Sequence, residues 1–395
     1  MLLRYALTDL RRHRGANVAL LLVLTLSALL TTTGAMVMER MWGAVDELFS
    51  LAQPPHFLQM HQGAYDLPAL EDFAADHPEI ESWLVSEMVG FHSALLSWER
   101  PTTGERDDFS ASLLDNLFVT QNVEFDFLLD EHGGIPRPDD DGVYVPVAYQ
   151  QTFDLKAGDL LHIRTETGIE TFTVEGFVRD AQMASSLSSA TRFLVSDNAR
   201  ERLETAGGGT SEIIVEYRTV DPRDGSALQT AYEADERLPM NGQAVTYDII
   251  RLINVFSEGL VAVALGFVGI LLIAISLLNV RFVIRGTLQD DVSEIGAMKA
   301  IGLPDRSIAG LYLAKYAVMT LMACLLGGLL AIVATRVLTS SVQASFAEAP
   351  VTATTVLVPL VALAVVFVVV TGIAWRVLRA VARIDVVRAL VHGST

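Results

Sequence analysis

Four stretches carry no charged side chain: Gly15–Met38, Gly259–Val280, Tyr316–Thr335 and Pro350–Trp375. Each is long enough to cross a hydrocarbon core of about 30 Å, which takes about 20 helical residues. A charge at mid-span costs about 2.5–3.5 kcal/mol on insertion scales, so four such runs point to a helical membrane protein. The composition agrees: mean hydropathy is +0.40, with 51% hydrophobic and only 19% charged residues. One cysteine, Cys324, excludes a disulfide-rich scaffold, and it lies inside the third run. A net charge of -19 excludes a nucleic-acid binder, which needs a basic face.

That charge is unevenly placed. Glu39–Ile253 holds 39 acids and 14 bases, a balance of -25, while the remainder is at +6. An acidic soluble block is therefore set into a basic, apolar framework. Arg4, Arg11, Arg12 and Arg14 precede the first run; Arg281, Arg285, Lys299 and Arg306 follow the second; Arg376, Arg379, Arg383 and Arg388 follow the fourth. Thr339–Ala349 has no Lys or Arg. Under the positive-inside rule both termini and the loop after the second span are cytoplasmic, and the acidic block lies outside a multi-pass cell membrane protein. Lys315 and Arg336 are expected to snorkel to the inner and outer interfaces. The first run is longer than a signal-peptide core, and Thr33, Gly34 and Ala35 make a poor cleavage site, so it reads as a retained span.

The expected fold is an α-helical membrane protein with four transmembrane helices and a mixed α/β extracytoplasmic domain between helices 1 and 2. Residues 1–53 form the N-terminus, first span and stalk, 54–245 the outer domain, and 246–395 the second stalk, three spans and the tail. The first helix continues past the membrane through Met38, Met41, Trp42, Val45, Leu48, Phe49 and Ala52, until Pro54-Pro55 stops it. Ile249, Leu252, Ile253 and Phe256 mark a similar face before the second span. Between these stalks the spacing predicts a helix over Leu67–His77. Strands are predicted at Val143–Val145, around Leu161/Ile163, through Phe172, Val174 and Val178, at Arg192–Val195 and at Glu212–Tyr217. Asp197 is expected to cap a helix through Leu203. A β-rich insert over about residues 110–185 inside a flanking α/β unit follows from where the strand signals concentrate.

No phosphate-cradling GxxxxGK[ST], HExxH, GxSxG or GxGxxG pattern is present, so neither a catalytic site nor a cofactor site is expected. Asp139–Gly142 lacks the spaced ligands of a calcium loop and reads as a solvated turn. His56 and His61 are spaced too far apart to share a helical face, and His132-Gly133-Gly134 has no nucleophile elbow beside it. The informative segment is cytoplasmic, Gln289–Lys315. Leu288, Val292, Ile295 and Met298 share one helical face, Gly302 supplies a C-terminal stop, and Pro304 fits the start of a helix running into the third span. On pattern alone this is a short amphipathic helix at the inner membrane surface, in contact with membrane lipids.

Within that segment EIGAMKAIGLPDRSI resembles the "REIGILRALGASRRQI" signature of FtsX/MacB-type ABC transporter permeases. RIDVVRAL near the C-terminus resembles the family's "DPVEALR" tail, with Val386 where the family has Pro. VPVAYQQTFDLKAGDLLHIRTETGIETFTVEGFVRD resembles the core of a MacB-type periplasmic domain. The resemblance implies a permease subunit without its motor. Residues 288–302 would be the coupling helix that docks on a separate ABC ATPase, with Ile295 and Met298 as apolar anchors, Asp291, Glu294 and Lys299 as charges, and Gly302 as the stop. It further implies pairing with a second copy or a sister permease, and an extracytoplasmic adaptor or cargo. Two functions fit: export or extraction of a lipoprotein, peptide, antibiotic or lipid, or FtsX-like signalling to an outer partner such as a cell-wall hydrolase. A membrane-anchored enzyme would need a catalytic constellation that the sequence lacks.

Overall fold

The computed structural model describes residues 14–183, 189–290, 292–345 and 352–379. Contacts divide the chain into a helical unit (Met1–Arg40, Gly259–Ser340, Val351–Thr395) and a mixed unit (Met41–Glu258, Ser341–Pro350).

In chain order the described elements are α1 (Arg14–Ala52), β1 (Phe57–Gln62), α2 (Leu67–Asp76), β2 (Ile80–His92), β3 (Leu96–Arg100), β4 (Glu105–Asp108) and β5 (Asp115–Val119). There follow β6 (Gly142–Pro146), α3 (Val147–Phe153), β7 (Leu160–Arg164), β8 (Ile169–Val178), β9 (Ala190–Leu194), α4 (Asp197–Ala206) and β10 (Thr210–Thr219). The last are α5 (Gly225–Glu233), β11 (Ala244–Thr246), α6 (Tyr247–Asp290), α7 (Val292–Ala300), α8 (Asp305–Ser345) and α9 (Ala353–Leu378).

Among the described residues, three helical segments are long and apolar enough to cross a membrane: Asn17–Ala52, Arg306–Thr339 and Ala353–Leu378. A further apolar segment, Gly266–Phe282, lies within α6. Their shared core is built on four-residue steps, which put side chains on one stripe of a helix. Leu20, Leu24 and Ala28 of α1 are buried with Ile308, Tyr312, Tyr316 and Met319 of α8 and with Val366, Val370, Ala374 and Leu378 of α9. Two glycines set the spacing. A methyl group at Gly327 would meet the Ala28 Cβ at 2.7 Å and the Thr25 carbonyl at 2.8 Å, and one at Gly269 would meet the Thr31 backbone at 3.0 Å. Bare backbone at both positions lets α6 and α8 approach α1 closely. Two hydroxyls in these helices turn back on their own helix: Ser27 Oγ donates to the Val23 carbonyl and Thr320 Oγ1 to the Tyr316 carbonyl, both at 2.8 Å. At the start of α9, Thr352 and Thr355 form a capping box. There Thr354 and Thr355 donate to the Glu39 carboxylate at 2.8 and 3.1 Å, an anion placed where a helix N-terminus favours one. Lys315, expected at the interface, is enclosed, with its ammonium 5.7 Å from the Tyr316 ring.

The mixed unit holds a sheet of order β11-β1-β10-β2-β5-β9-β6-β8-β7-β3-β4, with β5/β9 and β6/β8 parallel and the other pairs antiparallel. The thirteen-residue β2 is shared between two cores. Its first part and β1 and β10 carry Phe57, Val215 and Tyr217 onto Leu70 and Phe73 of α2 and Leu228 and Tyr232 of α5. Its end, with β3 and β5–β9, carries Phe91, Phe118, Leu161, Phe172 and Phe193 onto Tyr149 of α3 and Leu203 of α4. The second core therefore reaches from Val89 to Leu203, wider than the insert expected at 110–185. Its outer members sit on β2 and α4, which lie beyond the densest strand signals. The cap of α4 is Ser196, whose hydroxyl accepts from the Ala199 amide at 3.1 Å, and not Asp197, which is the first helical residue.

Candidate coupling sites

α7 ends in a Schellman turn. The Gly302 amide donates to the Lys299 carbonyl at 2.9 Å and the Leu303 amide to the Met298 carbonyl at 3.1 Å, with Gly302 at φ +96°. Only glycine takes that backbone readily, which is why the helix stops there. Pro304 follows, its carbonyl accepting from the Ile308 amide at 3.3 Å, and so opens α8. Four residues thus join two helices at a sharp corner.

Of the expected coupling residues, Asp291 lies outside the described residues, as does the C-terminal tail segment Arg383–Leu390. Glu294 stands on α7, Lys299 is half-buried and Gly302 is exposed at the turn. Ile295, the expected partner anchor, lies in the core of the helical unit. It is 0% exposed, enclosed with Val280, Ile284, Ile308 and Tyr312, and Met298 packs partly against the same cluster. The apolar face of α7 is covered by its own unit, because α8 folds straight back at Pro304. The apolar side chains that face outward are at the corner: Ile301 is 82% exposed and Leu303 43%. The spacing that marks an amphipathic helix selects its inward face; the signal for the outward pair is the bare pattern of large apolar residues on either side of a turn glycine.

The mixed unit has a second junction, where α1 ends. Gln53 leaves the helix at φ +50°, its amide donating to the Phe49 carbonyl at 3.0 Å. The Ala52 and Gln53 carbonyls accept from the Phe127 and Asp126 amides at 2.7 and 2.9 Å, so residues 126–127 satisfy the helix end. Asp126 is itself at φ +54°. Its carboxylate binds Arg192 Nη1, and Arg192 Nε and Nη2 fork onto Asp180, with Nε–Oδ2 at 2.6 Å. Glu216 Oε1 lies 4.0 Å from the same guanidinium and accepts from Gln182 Nε2 at 2.8 Å. All four charged groups are buried. Burial disfavours the Arg192 charge, but Asp126 and Asp180 outweigh it and hold the guanidinium firmly charged. Burial raises the Asp126 carboxyl above the ordinary range, and burial together with Asp126 raises Glu216 well above it.

The second stalk helix meets the same place. Asn254 Nδ2 donates to the Ala181 carbonyl at 2.8 Å, one residue past Asp180. Tyr247 packs edge-on against Phe49 with centroids 5.4 Å apart, and Arg251 pairs with Asp46 and covers the Trp42 ring. The face of α6 turned inward is Tyr247, Ile250 and Asn254. Leu252, expected on the buried face, is 63% exposed, because these contacts set the rotation of the helix. None of the four buried charges carries a sequence motif: they come from positions 126, 180, 192 and 216 and meet only through the sheet.

The other polar groupings are structural. His56 Nδ1 accepts from the Thr219 amide at 2.9 Å, and burial lowers its pKa, so it is a neutral core histidine. Asp140 accepts from Ser196 Oγ at 2.7 Å and Asn198 Nδ2 at 3.0 Å, tethering the start of α4. Among the described residues no cluster of His, Cys, Asp or Glu could hold a metal ion.

Residues 266–385 match the FtsX-like permease C-terminal family. That segment takes in the apolar part of α6, then α7, the Gly302 corner, α8 and α9. No curated protein matches the chain. Among solved structures, the chain is similar to the periplasmic region of MacB from Actinobacillus actinomycetemcomitans, at 13% identity, covering 50% of this chain and 91% of that one, with a TM-score of 0.29. It is also similar to a permease-protein domain from Porphyromonas gingivalis, at 12% identity, covering 50% and 95%, with a TM-score of 0.27. Scores this low do not define a shared fold, so the likeness to the permease family is carried by the match over residues 266–385.

Proposed function

We infer that this chain, an FtsX-like permease by its residues 266–385, is the membrane subunit of an ABC system whose ATPase is a separate protein. Permeases of this family work with ATPase partners. The observation that carries the reading is that the matched segment contains the α7–Gly302–α8 corner, where Ile301 is 82% exposed and Leu303 43%. In this reading α6 contributes the fourth span, both termini and the corner are cytoplasmic, and the mixed unit is extracytoplasmic. Two copies, or one copy and a sister permease, pair within the lipid. ATP-driven closure of the motor moves the two stalk helices and reshapes the outer unit, to extract or export a lipoprotein, peptide, antibiotic or lipid. The same machinery would serve signalling to an outer partner. No catalytic role is assigned to the chain.

The corner, and not the inner face of α7, is the proposed anchor. Burying a large aliphatic side chain contributes about 1.5–3 kcal/mol, and interface anchors cost about 2 kcal/mol or more when truncated. Ile301→Asp with Leu303→Asp should therefore abolish co-purification of ATP-hydrolysing activity in mild detergent while the chain still inserts. Ile295→Asp should instead lower the yield of folded chain, because it puts a carboxylate into the chain's own core. If the corner variant is well expressed and recovers ATPase at the wild-type ratio, the corner is not the docking element.

A further inference from the structure

We propose that Glu216 and Asp126 share one proton, and that this bridged pair, clamped by Arg192 and Asp180, is a pH-sensitive latch fixing the end of the first stalk helix to the sheet. Three carboxylates and one guanidinium are buried together, and with all three acids ionised the group would hold an uncompensated double negative charge in a dry site. Asp180 accepts from the Nε and Nη2 of the guanidinium and Asp126 from its Nη1. Glu216 is left with the longest contact. Its Oε1 is occupied by the Gln182 amide, and its Oε2 has no protein donor. As a neutral carboxyl, that oxygen becomes a donor to the adjacent Asp126 carboxylate, which satisfies both groups and removes one charge.

Among the remaining neighbours the charged one is Arg218, two residues along β10 from Glu216, which lies over the Phe125 ring and donates to the Pro54 carbonyl at 3.2 Å. Glu216 on β10 stands opposite Leu58 of β1 and Leu84 of β2, and α6 contributes the amide Asn254 beside Ala181. The latch matters because Asp126 has two attachments. Its side chain joins the cluster, and its backbone, in the left-handed region that a residue with a Cβ rarely occupies, donates to the last carbonyl of the stalk. Loss of the shared proton sets Glu216 and Asp126 against each other and loosens the segment that caps α1.

The sign of the pH dependence follows. A carboxyl whose folded pKa is raised binds more protons folded than unfolded, so its stabilisation is full below the ordinary carboxylate range and is lost as pH rises through the folded value. His56, with a lowered pKa, acts in the opposite sense, losing its contribution as pH falls. The comparison of variants therefore isolates Glu216.

The test uses the full chain in detergent and does not depend on a motor, so its outcome is separate from that of the docking experiment. Thermal unfolding is followed from about pH 5 to about pH 9 for wild type and Glu216→Gln, with hydrogen exchange at the Asp126 and Phe127 amides and the infrared carbonyl band of a protonated carboxyl. Wild type should lose Tm and amide protection as pH rises. Glu216→Gln, which mimics the neutral form, should lack that decline, gain stability relative to wild type towards high pH, and lack the infrared band. Parallel pH profiles, an unchanged band, or failure of Glu216→Gln to fold would each overturn the latch, since glutamine has the size and neutrality that the proposal assigns to Glu216.

Discussion

At the scale of single residues, what a buried charge contributes is set by its partners. Arg192 is enclosed with partners of opposite sign, so its worth is conditional on them. A buried ion pair gains little net stability over apolar packing, but breaking one by removing a single partner costs about 3–5 kcal/mol, because the other charge remains in low dielectric. Arg192→Met should therefore destabilise the mixed unit on that scale, and chemical denaturation monitored by its tryptophans should report it. Adding Asp126→Asn and Asp180→Asn to Arg192→Met should recover a large part of the loss, since the triple variant leaves only Glu216, whose carboxyl burial holds in the neutral form. If the triple variant is no more stable than the single one, the loss comes from packing and not from charge.

At the scale of elements, contacts between helices depend on where side chains are missing. Gly327 lets α8 lie against Thr25, Ala28 and Leu29 of α1. Gly327→Val should separate these helices and lower the melting temperature in detergent, whereas Gly310→Ala, with open space around it on the same helix, should have little effect. Equal melting temperatures for the two variants would mean that α1 and α8 do not pack through Gly327. Much of this level was legible. The four-residue apolar stripes mark helices, the alternation of Leu161, Ile163, Phe172 and Val174 marks β7 and β8, and Gly302-x-Pro304 marks a stop followed by a start. Orientation was less legible. Periodicity says that α6 and α7 each have an apolar face but not what covers it, so the spacing puts Leu252 inside, where the structure has it 63% exposed, and leaves open what covers Ile295. Local competition also escaped: Ser196 and Asp197 both suit a cap, and Ser196 takes it through a hydroxyl that also donates to Asp140, a partner 56 residues earlier. The Arg192 cluster was illegible for the same reason, since its members are brought together only by strand order.

At the scale of the molecule, the proposed topology rests on charge. The block at -25 between Glu39 and Ile253 and the basic flanks elsewhere place the mixed unit outside and the Gly302 corner inside under the positive-inside rule. The chain permits a clean test, because its one cysteine, Cys324, is buried in α8 and should react slowly with a membrane-impermeant maleimide. Leu113→Cys occupies a position that is 97% exposed in the mixed unit, and Arg306→Cys an exposed position at the start of α8. Neither substitution replaces a residue of the latch or a proposed anchor. In intact cells with a permeabilised outer barrier, Leu113→Cys should be labelled at once, and Arg306→Cys only after the inner membrane is opened. The wild-type chain should stay unlabelled in both conditions. The reverse order would place the acidic unit in the cytoplasm, and with it the corner on the wrong side of the membrane for any ATP-driven partner. Labelling of both positions before lysis would mean that the chain does not cross the membrane between them an odd number of times, which removes α6 as a span.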